Sequence, residues 1–195
     1  MMRHDQLDVD RAMVLAIDLQ EKLLPLIPRR ETILSSTRKL LAGANVFGLP
    51  VVVTEQNPRG IGSTHVSLSP LIEGASATLV IKSAFSAWAD EASRGVISQL
   101  DRPQIILCGI ETHVCVQQTA LDLCSRDYLV CVCADGVGSR GRLDHDSALG
   151  RISAAGVIVT SVESVLFELC GQCDAPRFKE ILAVIKEFPP ATSDG

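Results

Sequence analysis

The chain of 195 residues has no dense run of lysine or arginine: 18 basic residues stand against 23 acidic ones, for a formal net charge of -5. Nucleic acids and anionic membranes bind clustered cations, so neither is expected as a partner. No window approaches about 18 consecutive apolar residues, which excludes a transmembrane helix. The stretch Met1 to Ala12 carries three aspartates and no apolar core of the kind a signal peptide needs. The chain is therefore expected in the cytoplasm. There is no internal repeat, low-complexity tract or linker, and residues 1–195 read as one domain.

Cysteine, by contrast, is plentiful at seven. An odd count without an export signal reads as reduced thiols rather than a disulfide framework. Cys108, Cys131 and Cys133 fall inside apolar runs, where a thiol acts as a small hydrophobe. Hydrophobic residues make up 47% of the chain and charged ones 21%. That is ordinary globular composition, and a chain of this length buries roughly 70% of its unfolded surface without staples.

Six apolar runs, Met13–Ile17, Val51–Val53, Thr78–Ile81, Ile105–Cys108, Leu129–Cys133 and Val157–Val159, recur along the chain. They are short, rich in β-branched residues, and lack polar alternation, the pattern of parallel strands covered on both faces. Helical periodicity fills the gaps. Ile33, Leu40, Leu41, Ala44 and Phe47 share one helical face that Gly48-Leu49-Pro50 ends, and Leu143, Ala148, Ile152 and Ala155 share another. A last helix follows Pro176, and the tail after Phe188 is expected to fray. The alternation predicts an α/β fold, three layers with a six-stranded parallel sheet between helices. The stretch Glu55–Ala77, with Pro58, Gly60, Gly62 and Pro70, exceeds an ordinary connector and reads as an irregular functional loop.

In such a sheet, ligands lie beyond the carboxyl ends of the strands, at the switch in strand order. The first strand ends in Asp18, the third in Lys82, and the fourth runs into Cys108-Gly109-Ile110-Glu111-Thr112-His113-Val114-Cys115-Val116, where a helix begins near Val114. Any one of these residues alone reads as a surface, capping or core position. Three on one edge point to a site. A thiol in the first turn of a helix feels the positive end of the dipole, and a nearby ammonium adds to it, so Cys115 is expected to ionise readily. It should then be alkylated ahead of the other six cysteines at neutral pH. Asp18 would take the thiol proton and return it to a leaving group.

These stretches resemble the isochorismatase-like hydrolases, the superfamily of nicotinamidases and N-carbamoylsarcosine amidohydrolases. The matching segments are Ala16-Ile17-Asp18-Leu19-Gln20, Val80 to Trp88, and Cys108 to Val116, joined by Ala134 to Arg140 and two C-terminal stretches. The resemblance implies a strand order of 3-2-1-4-5-6 and an Asp18-Lys82-Cys115 triad. It also implies a cis Ile110–Glu111 peptide, with the Glu111 and Cys115 amides receiving an oxyanion. Gln20, Gln56, Phe85, Trp88, Glu111 and His113 are candidate pocket walls by their nearness to these motifs. The implied activity is hydrolysis of a small amide, carbamoyl or related C–N substrate, without cofactor, by a homo-oligomer. Isochorismatases proper cleave a vinyl ether without the nucleophilic cysteine, so Cys115 points away from that reaction. A catalytically idle binding protein that retains the triad, or a redox-responsive one, is the alternative.

Two further patterns carry less. Gly136-Val137-Gly138-Ser139-Arg140-Gly141 fits G-x-G-x-x-G, yet Asp135, Asp144 and Asp146 would repel a pyrophosphate, so Asp135–Arg140 reads as a structural turn rimming the site. Cys170-Gly171-Gln172-Cys173 follows a helix end rather than opening a helix, and reads as a glycine stop between ordinary thiols. Nicotinamidases hold a divalent ion with an Asp-x-His and a further histidine after the second strand. Here that region offers His65 alone. No metal site is expected, and nicotinamidase activity is not.

Overall fold

The structure, a computed structural model, describes residues 6–189, so most of the tail after Phe188 lies outside the described residues. Six parallel strands form one sheet of order 3-2-1-4-5-6. They are β1 (Ala12–Ile17), β2 (Val51–Gln56), β3 (Thr78–Lys82), β4 (Gln104–Ile110), β5 (Leu129–Gly138) and β6 (Ile158–Thr160). The helices are α1 (Arg30–Phe47), α2 (Pro58–Ile61), α3 (Ser69–Gly74), α4 (Glu91–Gln99), α5 (Gln117–Cys124), α6 (Arg142–Ala154), α7 (Val162–Cys170) and α8 (Phe178–Glu187).

The two cores follow from the pleat, which sends alternate side chains to opposite faces. Val14, Ala16, Val53, Ile106, Cys108 and Cys131 face α1, α7 and α8; Met13, Leu15, Ile17, Val52, Ile105, Leu107 and Val132 face α4, α5 and α6. Both faces are apolar because both are covered, which explains the unbroken runs in the sequence. Each fully buried aliphatic side chain contributes about 1.5–3 kcal/mol. Cys108 and Cys133 are sealed in the α1-side core as thiols, and burial pushes Cys108 up to about 12.

Three elements differ from the sequence reading. β5 does not stop at Cys133 but resumes beside β4, with Gly109 opposite Val137 and Ile110 opposite Gly138 after a break in register. Asp135 sits in that break, its carboxylate taking hydrogen bonds from the Ser36 hydroxyl and the Val162 amide. The Glu55–Ala77 stretch is built rather than irregular: α2, a 3-10 turn at Val66–Leu68 and α3 occupy it, each too short to show periodicity. Leu143 is 79% exposed and lies off the buried face of α6, which is carried by His145, Ala148 and Ile152.

The switch in strand order falls between β1 and β4, and their ends approach closely there. A Cβ at Gly109 would stand 2.0 Å from the Ile17 carbonyl oxygen, and Gly109 has a φ of +126°. Only glycine tolerates both conditions. Gly109→Ala is accordingly expected to cost roughly 3 kcal/mol or more, as strain at a forbidden φ plus displacement of β1. Urea unfolding of the variant checks this; a loss below about 1 kcal/mol would mean that β1 and β4 can separate freely at the switch point.

Candidate functional site

Asp18, Lys82 and Cys115 meet above the switch point. Parallel register places Thr54 beside Ile17 and Gln56 beside Lys82, so the ends of β1, β2 and β3 stand in line. Asp18 leaves the extended run with a φ of +51°, and its amide donates to the Thr54 carbonyl at 3.1 Å. Its Oδ1 accepts the Thr54 hydroxyl at 2.7 Å, and its Oδ2 lies 2.7 Å from Lys82 Nζ.

Lys82 is fully buried, which an ammonium tolerates only when its protons are engaged. Nζ donates to Gln56 Oε1 at 2.7 Å and to the carbonyls of Ala84 at 3.2 Å and Phe85 at 3.1 Å. Gln56 is oriented in turn by donating from Nε2 to the Ser83 carbonyl at 2.7 Å. Asp18 Oδ2 faces the Lys82 ammonium, which acts on the carboxylate through its charge and at hydrogen-bonding distance. The Cys115 thiol lies within hydrogen-bonding reach of both Asp18 and Lys82.

Cys115 lies in a π-helical turn, Thr112–Val116, between β4 and α5. It is 6% exposed and packs with the α5-side core. The Ile110–Glu111 peptide that leads into the turn is cis. The sequence reading expected a readily ionised thiol. The structure reverses that: Cys115 is pushed up to about 12, first by burial and then by the Asp18 carboxylate, which outweigh the opposing Lys82 charge. Asp18 is itself raised, because burial exceeds the help it receives from Lys82, Thr54 and the thiol. The resting pair is thus a neutral thiol against a carboxylate that holds protons more readily than an exposed one.

The proposed pocket residues divide. Gln56 belongs to the site as the partner of Lys82. Gln20 does not face a pocket: it is fully buried, its Nε2 donating to the Gln56 and Gly62 carbonyls and its Oε1 accepting the Gln56 amide. It ties the chain after β1 to the end of β2. Phe85 serves through its carbonyl, while its ring is 54% exposed. Trp88 is drawn away. Its ring meets the edge of Tyr128 at 5.4 Å and lies under the Arg126 guanidinium at 5.5 Å. Tyr128 immediately precedes β5, at the amino edge of the sheet, opposite the triad.

Glu111 is nearly buried, and its Oε1 accepts from both the backbone amide and Nε of Arg140, at 3.1 and 3.0 Å. His113 Nδ1 meets Ser139 Oγ at 2.9 Å. The residues from Asp135 to Arg140 thus form a strand end and a brace rather than a turn alone. Thr54 was missed as a site residue; its signal was a hydroxyl in an otherwise apolar buried strand, one position before Glu55. His65 is occupied as a helix cap, its Nδ1 meeting Ser67 Oγ at 2.8 Å. Among the described residues no group of three His, Cys, Asp or Glu side chains is placed to hold a metal ion.

Comparison with known proteins gives a consistent result. Residues 12–164 match the model of the isochorismatase domain. Isochorismatase domain-containing protein 1 of Salmo salar is 40% identical over 173 residues, 89% of this chain and 60% of that protein, so this chain spans about 60% of its length. A structure described as MAR1 ribonuclease from Caenorhabditis elegans is 31% identical with a TM-score of 0.87, covering 97% of this chain and 98% of that one. YcaC from Pseudomonas aeruginosa, solved with hexane-2,5-diol and covalent acrylamide, is 25% identical with a TM-score of 0.89, covering 98% and 95%.

The pH dependence of Cys115 alkylation tests the electrostatics. A carboxylate beside the sulfur disfavours the thiolate and an ammonium favours it. The midpoint should therefore fall in Asp18→Asn and rise in Lys82→Met relative to the parent, as read by iodoacetamide labelling and mass spectrometry. The same midpoint in all three proteins would mean that neither charge acts on the sulfur.

Proposed function

The chain belongs to the isochorismatase domain family of hydrolases, and from that premise we propose that it is a cysteine-dependent hydrolase of a small amide, carbamoyl or related C–N substrate. The observation that carries the reading is the protonated Cys115 thiol within hydrogen-bonding reach of the buried Asp18 carboxylate, itself held by Lys82. As Cys115 Sγ attacks the substrate carbonyl, its proton passes to Asp18 Oδ2. Charge never has to build on a lone buried sulfur. The Glu111 and Cys115 amides receive the tetrahedral oxyanion. Protonated Asp18 then delivers its proton to the leaving nitrogen, the C–N bond breaks, and an acyl-cysteine remains. Water, giving a proton to Asp18, attacks that thioester and releases the acid and the thiol.

Lys82 holds the Asp18 carboxylate in place and spreads its charge throughout. Gln56 and Thr54 fix the two partners. The covalent acrylamide of the P. aeruginosa structure, an electrophile that nucleophiles add to at its vinyl carbon, supports a reactive nucleophile in a related protein and leaves the substrate class to the screen below. The ribonuclease description of the C. elegans structure is not carried over, because a net charge of -5 without a basic cluster offers little to a phosphate backbone. No described helix is long and apolar enough to cross a membrane, and a cytoplasmic setting goes with this proposal. So does a single domain over residues 1–195. Self-association completes it: the edge strand β3 leaves Leu79 and Ile81 more than half exposed, a face suited to a second copy.

The test is a screen of small amides, ureas and carbamates. Cys115→Ala should lose all turnover while keeping stability within about 1 kcal/mol, since alanine suits a helical turn and removes little volume. Asp18→Asn should lower turnover by about 10²–10⁴, the effect of removing general acid–base help. Turnover that survives in Cys115→Ala would rule out the covalent route. Chelator treatment is expected to leave the rate unchanged; a loss restored by zinc or manganese would reveal a metal the proposal omits. Size-exclusion chromatography with light scattering reports the assembly, and a monomer at micromolar concentration would remove self-association from the proposal.

A further inference from the structure

A cavity opens on the carboxyl edge of the sheet at the end of β5. It has a volume of about 310 Å³, room for about ten waters at ~30 Å³ each and near the lower bound for ligand pockets. Its walls include Ile27 and Arg29 from the segment before α1, Gly138 from the end of β5, and Arg142, His145 and Asp146 from α6. The Gly138 position is closed behind by Ile33 and Ile27, which approach where a Cβ would stand. The cavity thus lies between the segment before α1 and the first turns of α6, over the end of β5, and no member of the triad lines it.

The charges around this cavity do not balance. Arg142 Nε is paired with Asp146 Oδ2 at 3.5 Å, so those two cancel. Arg29 has no carboxylate or hydrogen-bond acceptor for its side chain among the described residues. Instead its charge falls on His145, which is 91% buried and whose hold on a proton is lowered by burial and then by Arg29. His145 Nδ1 is taken by Thr112 Oγ1 at 2.9 Å, while Nε2 has no hydrogen-bond partner among the described residues. A guanidinium and an imidazole therefore share one cavity whose single lining carboxylate, Asp146, favours the imidazolium but is paired with Arg142.

We propose that this cavity is a binding site for a small organic monocarboxylate, held by Arg29 and His145 with its short aliphatic stem against Ile27 and Gly138. The planar fork of a guanidinium matches a carboxylate in two parallel hydrogen bonds, and a protonated imidazole adds a third donor. The net lining charge, one unpaired Arg29 with the Arg142–Asp146 pair neutral, suits one negative charge. A dianion would meet the Asp146 carboxylate. The site is separate from the triad but touches its support, because His145 bonds Thr112 at the start of the turn that carries Cys115. Occupancy is thus sensed by the catalytic segment through one side chain.

Butyrate and its neutral isostere butyramide serve as probes against the full chain, followed by nuclear magnetic resonance of the Gly138 amide and the His145 imidazole. Butyrate should shift both signals saturably, and butyramide neither. Arg29→Met should weaken butyrate by at least about tenfold, the loss of a charge-assisted pair. Asp146→Asn, which removes the competing carboxylate, should tighten it. The two opposite changes separate anion recognition from a general loss of fold. The His145 titration should move upward when butyrate is bound, since a neighbouring anion favours imidazolium. Equal binding of butyrate and butyramide, or butyrate affinity unchanged in Arg29→Met, would overturn the site. Shifts confined to Leu19 and Ala84 would assign the carboxylate to the triad instead, and overturn it equally.

Discussion

A fully buried ammonium lies 2.7 Å from a fully buried carboxylate, and the arrangement of the carboxyl edge follows from keeping that pair satisfied. Neither charge could be buried alone, because removing one partner leaves an uncompensated ion that costs several kcal/mol. The chain answers with Thr54 on Asp18 and with Gln56 and two carbonyls on Lys82. Those groups come from three adjacent strand ends and the bend after β3. The parallel register of β1, β2 and β3 is therefore a requirement of the ion pair as much as a product of the core. Gln20, which ties the chain after β1 to the end of β2, locks the same register from a fourth direction.

The Asp18–Cys115 relation shows how burial sets the direction of reactivity. A thiolate waiting in this site would be a lone anion beside another anion. The sulfur instead stays protonated, and the proton has an acceptor already placed. Under the proposed mechanism such a thiol would gain its nucleophilic character only as its proton passes to that acceptor. Cys108 and Cys133, also raised by burial but closed to solvent, are packing residues.

Much of this was legible from residues alone because buried strands cannot be polar. Six apolar runs gave six strands, and the polar residue ending the first and third gave two members of the triad. The legibility stopped where tertiary contacts override local pattern. The apolar run closes at Cys133, yet Asp135, accepting hydrogen bonds from Ser36 and Val162, lets the strand resume beyond it. A buried glutamine carries no mark of whether its amide faces a cavity or a carbonyl, so Gln20 was placed in a pocket it does not line. The ionisation of Cys115 was misjudged because helix position was visible and the degree of burial was not. Leu143 kept helical spacing while facing solvent.

The chain's one tryptophan and one tyrosine stand together at the amino edge of the sheet, with Arg126 over the indole. Intrinsic fluorescence is thereby confined to one end of the molecule. It will follow the docking of the segment after β3 onto α5 and the loosening of that layer as the protein unfolds. Events at the opposite edge, where Cys115 would carry an acyl group or a ligand would settle beside Arg29, are optically silent unless they travel the length of the strands. A change in indole emission on adding a ligand would therefore report a disturbance carried through the sheet rather than occupancy itself.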